Sequence, residues 1–398
     1  MDEATIDRLA ALAVGFGANL QPGQVLNVSC EPGKEHLARA IAAEAYRRGA
    51  EFVDVSWFDP WIKRARLLHA PDGTLEYVPP WYAQRVLGLA ELRGAAVQLS
   101  GPAAPGVLDG VDPVRAGRDR LPSIKESGEV VNARALNWTI VPCPTPAWAQ
   151  LVHPDLEPAD AEARLSEQLV YVLRLDEPDP IAAWRARTDF LLGVAERLTA
   201  LRLDALHYSG PGTDLTIGLL PSVRWAAARF ETAGGIPHMP NLPTEEVFSC
   251  PDPERADGHV TASKPLVLAD GTLVDDLRVE FERGRAVRVD ASSAAETMRT
   301  ILDRDAGACR LGEVALVDGE GRIDELGTVF YDTLLDENAA SHLAVGQAFT
   351  FLAGDDAGRL NESEIHIDFM IGSPELTVTG ITAQGERVPV LSGGRWHV

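Results

Sequence analysis

The run Glu364-Ile365-His366-Ile367-Asp368-Phe369 sets an imidazole and a carboxylate two residues apart, with apolar residues between them. Strand side chains alternate between faces, so Ile365, Ile367 and Phe369 would turn to one side and His366 and Asp368 to the other. Zinc, cobalt or manganese accepts that pair, and a strand holds it with little freedom to drift. The same spacing also suits a carboxylate that only fixes a histidine tautomer, so the rest of the chain has to decide.

Three further segments carry candidate ligands. Asn241-Leu242-Pro243-Thr244-Glu245-Glu246-Val247-Phe248 places two carboxylates between a proline turn and an apolar pair, a pattern that also suits a solvated acidic step. Leu311-Gly312-Glu313-Val314-Ala315-Leu316-Val317 encloses one glutamate in an apolar strand, where an ionised carboxylate needs a partner. A dication would serve, and so would Arg310 or Arg322. Asp336-Glu337-Asn338-Ala339-Ala340-Ser341-His342 reads as a helix start, with Asp336 or Asn338 as cap and His342 as either a core histidine or a ligand. Together Glu246, Glu313, His342, His366 and Asp368 suffice for two metal ions if one carboxylate bridges, and Glu313 is the natural bridge. Two such ions share and acidify a water and polarise a carbonyl, which is the chemistry of hydrolysis.

These segments need elements to position them. With 398 residues the chain exceeds one ordinary core. Val25–Cys30, the helical rhythm of Leu37, Ala38, Ile41 and Ala45, and Phe52–Trp57 form a strand, helix, strand unit that predicts a mostly parallel sheet with flanking helices. Ala95–Ser100 and Thr139–Pro142 extend it, with helices at 79–93 and 159–173. The acidic, proline-broken stretch 176–180 reads as a linker before a long helix at 181–201, followed by short strands and Gly/Asp turns. The expected fold class is therefore α/β, with an N-terminal α/β domain over 1–180 and a mixed α+β metal-binding domain over 181–398. Gly210-Pro211-Gly212-Thr213-Asp214 is a turn rather than a phosphate loop, since Pro211 lacks an amide donor and no Lys-Ser/Thr follows.

A formal charge of −23 excludes nucleic acid and anionic membrane as expected partners, because phosphate would be repelled. Met1–Ala10 lacks the basic start and apolar core of a signal peptide, and no apolar run is long enough for a bilayer, so the expected location is cytoplasmic. Cys30, Cys143, Cys250 and Cys309 lie far apart without metal-binding spacing and read as reduced, mostly buried thiols.

In their order, Asn241–Phe248, Leu311–Val317, Asp336–Ala344 and His366–Gly372 resemble the thermophilic metallo-aminopeptidase family of aminopeptidase T, aminopeptidase S and PepS, and the likeness spans nearly the whole chain. The resemblance implies a homodimeric cytoplasmic enzyme that removes N-terminal residues from peptides with a free amino terminus. It implies two divalent ions, zinc, cobalt or manganese, one on Glu246, Glu313 and His342 and the other on Glu313, His366 and Asp368. It prefers Glu246 to Glu245, because the family's ligand directly precedes the Val-Phe pair. Glu245 and Glu337 are both candidates for the general base. Seven residues beyond the histidine of the third segment the family carries a tyrosine; here stands Phe349, with Tyr331 as a substitute hydroxyl. The loop between Phe351 and Glu364 is shorter than the family's. Alternatives are a dipeptidase or amidase on the same centre, or a catalytically weakened metal-binding protein.

Overall fold

A computed structural model describes residues 1–398. Near the amino terminus, Val25–Cys30, Phe52–Trp57, Ala95–Ser100 and Asn137–Pro142 form a four-stranded parallel sheet. Its order places Val25–Cys30 between Phe52–Trp57 and Ala95–Ser100, with Asn137–Pro142 outermost beyond the latter. The crossover helix Glu35–Arg47 buries Leu37, Ala38, Ile41 and Ala45 against the sheet, the face predicted by its apolar spacing. Pro80–Glu91 and Pro158–Val172 supply two of the other flanking helices.

The helix Pro180–Leu201 opens the second half, starting where Asp179 caps its first turn by accepting from the Ala182 amide. Beyond it the sheets are antiparallel. An eight-stranded sheet contains the hairpin Ala205–Gly210 and Thr213–Leu219, with the Gly-Pro-Gly segment at its turn, and the hairpin Thr377–Ile381 and Arg387–Ser392. A five-stranded sheet runs in the order His366–Met370, His342–Gly346, Leu311–Val317, Glu246–Ser249 and Ala226–Ala227.

That five-stranded sheet explains how the site is held. Val247, Val314, Leu316, Leu343, Val345 and Phe369 all belong to the large apolar core shared with Leu191, Leu198 and Leu206. Each alternates along its strand with a residue of the other face. No helix is long and apolar enough to cross a membrane, and all four cysteines are free and buried, as expected.

Candidate metal centre

The ladder register assembles the site. Opposed residues of an antiparallel pair share a face. Glu313 lies opposite Ala344 and Ala344 opposite Asp368; His342 lies opposite Ala315, Gly346 opposite His366, and Ala315 opposite Phe248. With the two-residue alternation within strands, Glu246, Glu313, His342, His366 and Asp368 therefore project from one face. Ala315, Ala344 and Gly346 occupy intervening positions on that face and leave room for the ligating groups.

The structure brings these side chains within ligand distance of one another. Glu246, Glu313 and His342 form one cluster, Glu313, His366 and Asp368 a second, and Glu337, His342 and Asp368 a third. His342 Nε2 lies 3.1 Å from Glu246 Oε2, and His366 Nε2 lies 3.2 Å from Glu313 Oε2 and 3.4 Å from Asp368 Oδ1. Glu313, on the middle strand of the five, joins the first two clusters. His366 is the open side, with 29% of its side chain accessible against 1% for His342.

Both histidines are oriented from behind. His342 Nδ1–H donates to the Glu337 carbonyl at 2.9 Å, and His366 Nδ1–H donates to the Gln347 carbonyl at 2.7 Å. With Nδ1 committed to a carbonyl, Nε2 faces the carboxylates, the arrangement of a metal-ligating imidazole once a cation takes the place of its Nε2 proton. Without a cation, burial and the neighbouring Asp368 and Glu246 drive the Glu337 carboxyl well above its usual range. Burial likewise pushes Glu313 up to about 7, against the opposing pull of His366. For His342, burial alone would disfavour the charged ring, yet the contact with Glu246 outweighs it and raises the pKa to about 10. Three buried carboxylates and the half-buried Asp368 around two imidazoles are a site lacking positive charge. Hard and borderline donors in this set fit divalent zinc, cobalt or manganese.

The expected ligand segments meet, but with corrections. His342 does not lie in a helix: Asp332 caps the short helix Thr333–Glu337, and His342 begins the strand His342–Gly346. Pairing on both edges of that strand overrides the helix preference of Ala339 and Ala340. Asp336 and Asn338 consequently stand at the end of a helix and do not cap its start. Glu245 faces away from the centre; Arg174 holds one of its oxygens at 3.1 Å and Arg187 the other. Arg310 donates to the Pro253 carbonyl and Arg322 pairs with Asp176 and Glu177, so neither neutralises Glu313. Tyr331, at φ 54°, makes no hydrogen bond to any of the clustered residues. Phe349 packs its ring 5.3 Å from that of His366.

Sequence reading missed Asn241 and Asn338 as partners of Glu337. They donate to Glu337 Oε1 at 3.1 and 3.4 Å. Asn338 Oδ1 also accepts from the Glu245 amide at 2.6 Å, tying the first ligand segment to the third. Both asparagines lay inside the segments singled out, but only the fold shows what they touch.

The parallel-sheet α/β half joined to an antiparallel sheet carrying this centre defines a metal-dependent hydrolase. The chain belongs to the thermophilic metalloprotease (M29) family, whose model matches residues 2–396. It is 41% identical to aminopeptidase T of Thermus thermophilus, covering 99% of this chain and 98% of that protein. It is 36% identical to aminopeptidase 2 of Geobacillus stearothermophilus, again covering 99% and 98%. The solved structure of wild-type AmpT from Thermus thermophilus superposes with a TM-score of 0.87 over 100% of both chains at 41% identity. The protein is a metal-dependent aminopeptidase.

Proposed function

We propose that Glu246, Glu313 and His342 hold one divalent ion and Glu313, His366 and Asp368 a second, with Glu313 between them and zinc, cobalt or manganese as the metal. The observation that carries this reading is the pair of ligand clusters sharing Glu313. Charge supports two ions, since four carboxylates with neutral histidines balance two dications. When bound, such a pair acidifies a shared water and polarises the scissile carbonyl.

In this reading Glu337 would take the proton from that water. It is buried beside His342 and Asp368, and Asn241 and Asn338 both fix its Oε1. Glu245 cannot serve, because both its oxygens are engaged by arginine. Substrates are peptides with a free amino terminus, whose ammonium suits the acidic face around Asp368 and Glu337. They approach from the side of His366, the most accessible of the clustered residues.

Residues 1–180 and 181–398 act as two domains in this reading, with the centre on the second. The protein works in the cytoplasm as a homodimer. Unpartnered apolar side chains on the first domain, among them Trp57, Trp61, Ile62 and Trp81, support association with a second copy. Glu313→Gln is expected to abolish turnover of leucine p-nitroanilide and to release bound metal. Elemental analysis beside the activity assay checks this, and a variant keeping both full metal and full turnover would refute the shared-ligand assignment.

A further inference from the structure

A cavity of about 320 Å³ is lined by Arg120, Ser123, Lys125, Glu126, Arg304 and Glu364 among others, and by none of the clustered ligands. Two contacts tie it to the ligating face. Glu364 stands two residues before His366 in the chain. The helix Lys125–Asn132, whose first turn lines the cavity, packs over the segment that orients His366: a side chain at Gly128 would meet Gln347 Cγ at 3.7 Å, and Asn132 accepts from the Thr350 amide at 2.7 Å.

The lining carries Arg120, Lys125 and Arg304 against Glu76, Glu126 and Glu364, but two of those carboxylates are already paired, which leaves Arg304 and Lys125 facing Glu126 alone. Glu364 pairs with Arg120 at 3.0 Å, and Glu76 is drawn off to Arg118 at 2.8 Å. Arg304 spends only Nη2, on the carbonyls of Gly117 and Asp119 at 2.7 and 3.4 Å, and has no carboxylate within ion-pairing distance. Burial, and then the charge of Arg120, lower the pKa of the Arg304 guanidinium against the opposing pull of Glu364, Asp305 and Asp119. Lys125 likewise forms no ion pair within the protein, and no side chain caps the helix it begins. In a chain of net charge −23 such a group of cations stands out, because an approaching carboxylate is otherwise repelled.

Resting on the aminopeptidase reading, we propose that this cavity binds a substrate carboxylate, with Arg304 and Lys125 as its partners, and so selects short peptides by their C-terminal end. Glu364 and His366 are two residues apart, at most about 7 Å in extended chain, so in this proposal the carboxylate that enters the cavity lies one or two residues beyond the scissile bond. An acidic side chain at those positions presents the same chemistry.

The test compares metal-loaded enzyme on Leu-Gly-Gly and on its C-terminal amide, both with a free amino terminus. The free acid is expected to show a kcat/KM about tenfold above the amide, the scale of a charge-assisted contact. Arg304→Ala and Lys125→Gln should each bring that ratio severalfold toward one. A structural disturbance would slow both peptides alike and leave the ratio standing, and Lys125 is exposed, so its variant remains informative if Arg304→Ala fails to fold. A second pair, Leu-Glu-Gly amide and Leu-Gln-Gly amide, separates the sources: a preference for Glu erased by the same substitutions assigns the cavity to an acidic side chain. Equal rates within both pairs, or preferences that neither substitution moves, overturn the proposal. Leucine p-nitroanilide, which has no carboxylate, tests the aminopeptidase reading alone.

Discussion

Glu337 and Phe349 are the side chains through which the chemistry can be adjusted without touching the clustered donors at Glu313. Replacing Glu337 by Gln keeps its size and its contacts with Asn241 and Asn338 within reach while removing the carboxylate proposed as proton acceptor. The expected loss in kcat is about 10²–10⁴-fold, the scale of general-base removal, with metal content retained. Steady-state kinetics paired with elemental analysis check it, and loss of metal instead would make Glu337 a ligand. Phe349 lies against the His366 ring but offers no hydroxyl to a developing oxyanion. Phe349→Tyr is expected to raise kcat about tenfold, because one added donor to an oxyanion is worth roughly that or more. An unchanged kcat would show that the ring at this position serves packing with Phe230, Phe248 and Phe351. At this scale the donor types were legible in the strings around Glu246, Glu313, His342, His366 and Asp368. The partners of Glu337 and Glu245 were not, because they come from segments remote in sequence.

Among the elements, the short helix Thr333–Glu337 matters most, since it carries Glu337 to the ligand face and has too few residues to be stable by itself. Asp332 secures it. Its carboxylate accepts from the Leu335 amide at 3.2 Å and, across the two halves, from the Gly101 amide at 2.7 Å. Asp332→Ala removes a cap and leaves a buried amide unpaired, with an expected cost of about 1–3 kcal/mol. A lowered urea midpoint together with a lowered kcat checks this, and a stable variant with full activity would exclude the helix as the support of Glu337. The strand His366–Met370 was readable from alternation alone, whereas His342 looked helical because alanine-rich surroundings favour a helix until ladder pairing is available on both sides.

At the scale of the molecule, the two halves meet over the segment 237–242. The Met239 amide donates to the Gly17 carbonyl and the Ile140 amide to the Pro240 carbonyl, while the ring of His238 packs near Trp138 and Phe230. Burial pushes the His238 imidazole down to about 4 from its ordinary 6.5, so the folded chain refuses a proton that the unfolded chain accepts. Its contribution is therefore complete above pH 6.5 and lost as pH falls through 4, at most about 3 kcal/mol. His238→Phe should flatten that part of the acid destabilisation, measured as urea midpoints at pH 7 and pH 4.5. A slope equal to that of the unaltered protein would show that His238 does not contribute. The sequence by itself determined the strand, helix, strand pattern of the first half, the alternation around His366 and the inventory of ligating side chains, because backbone periodicity and donor chemistry are local. Only the tertiary structure decided that five of those donors share one sheet face, that Glu337 joins them while Glu245 is taken by Arg174 and Arg187, and that Arg304 is left without a counterion. These outcomes depend on strand register and on partners far apart in the chain, which no local pattern encodes.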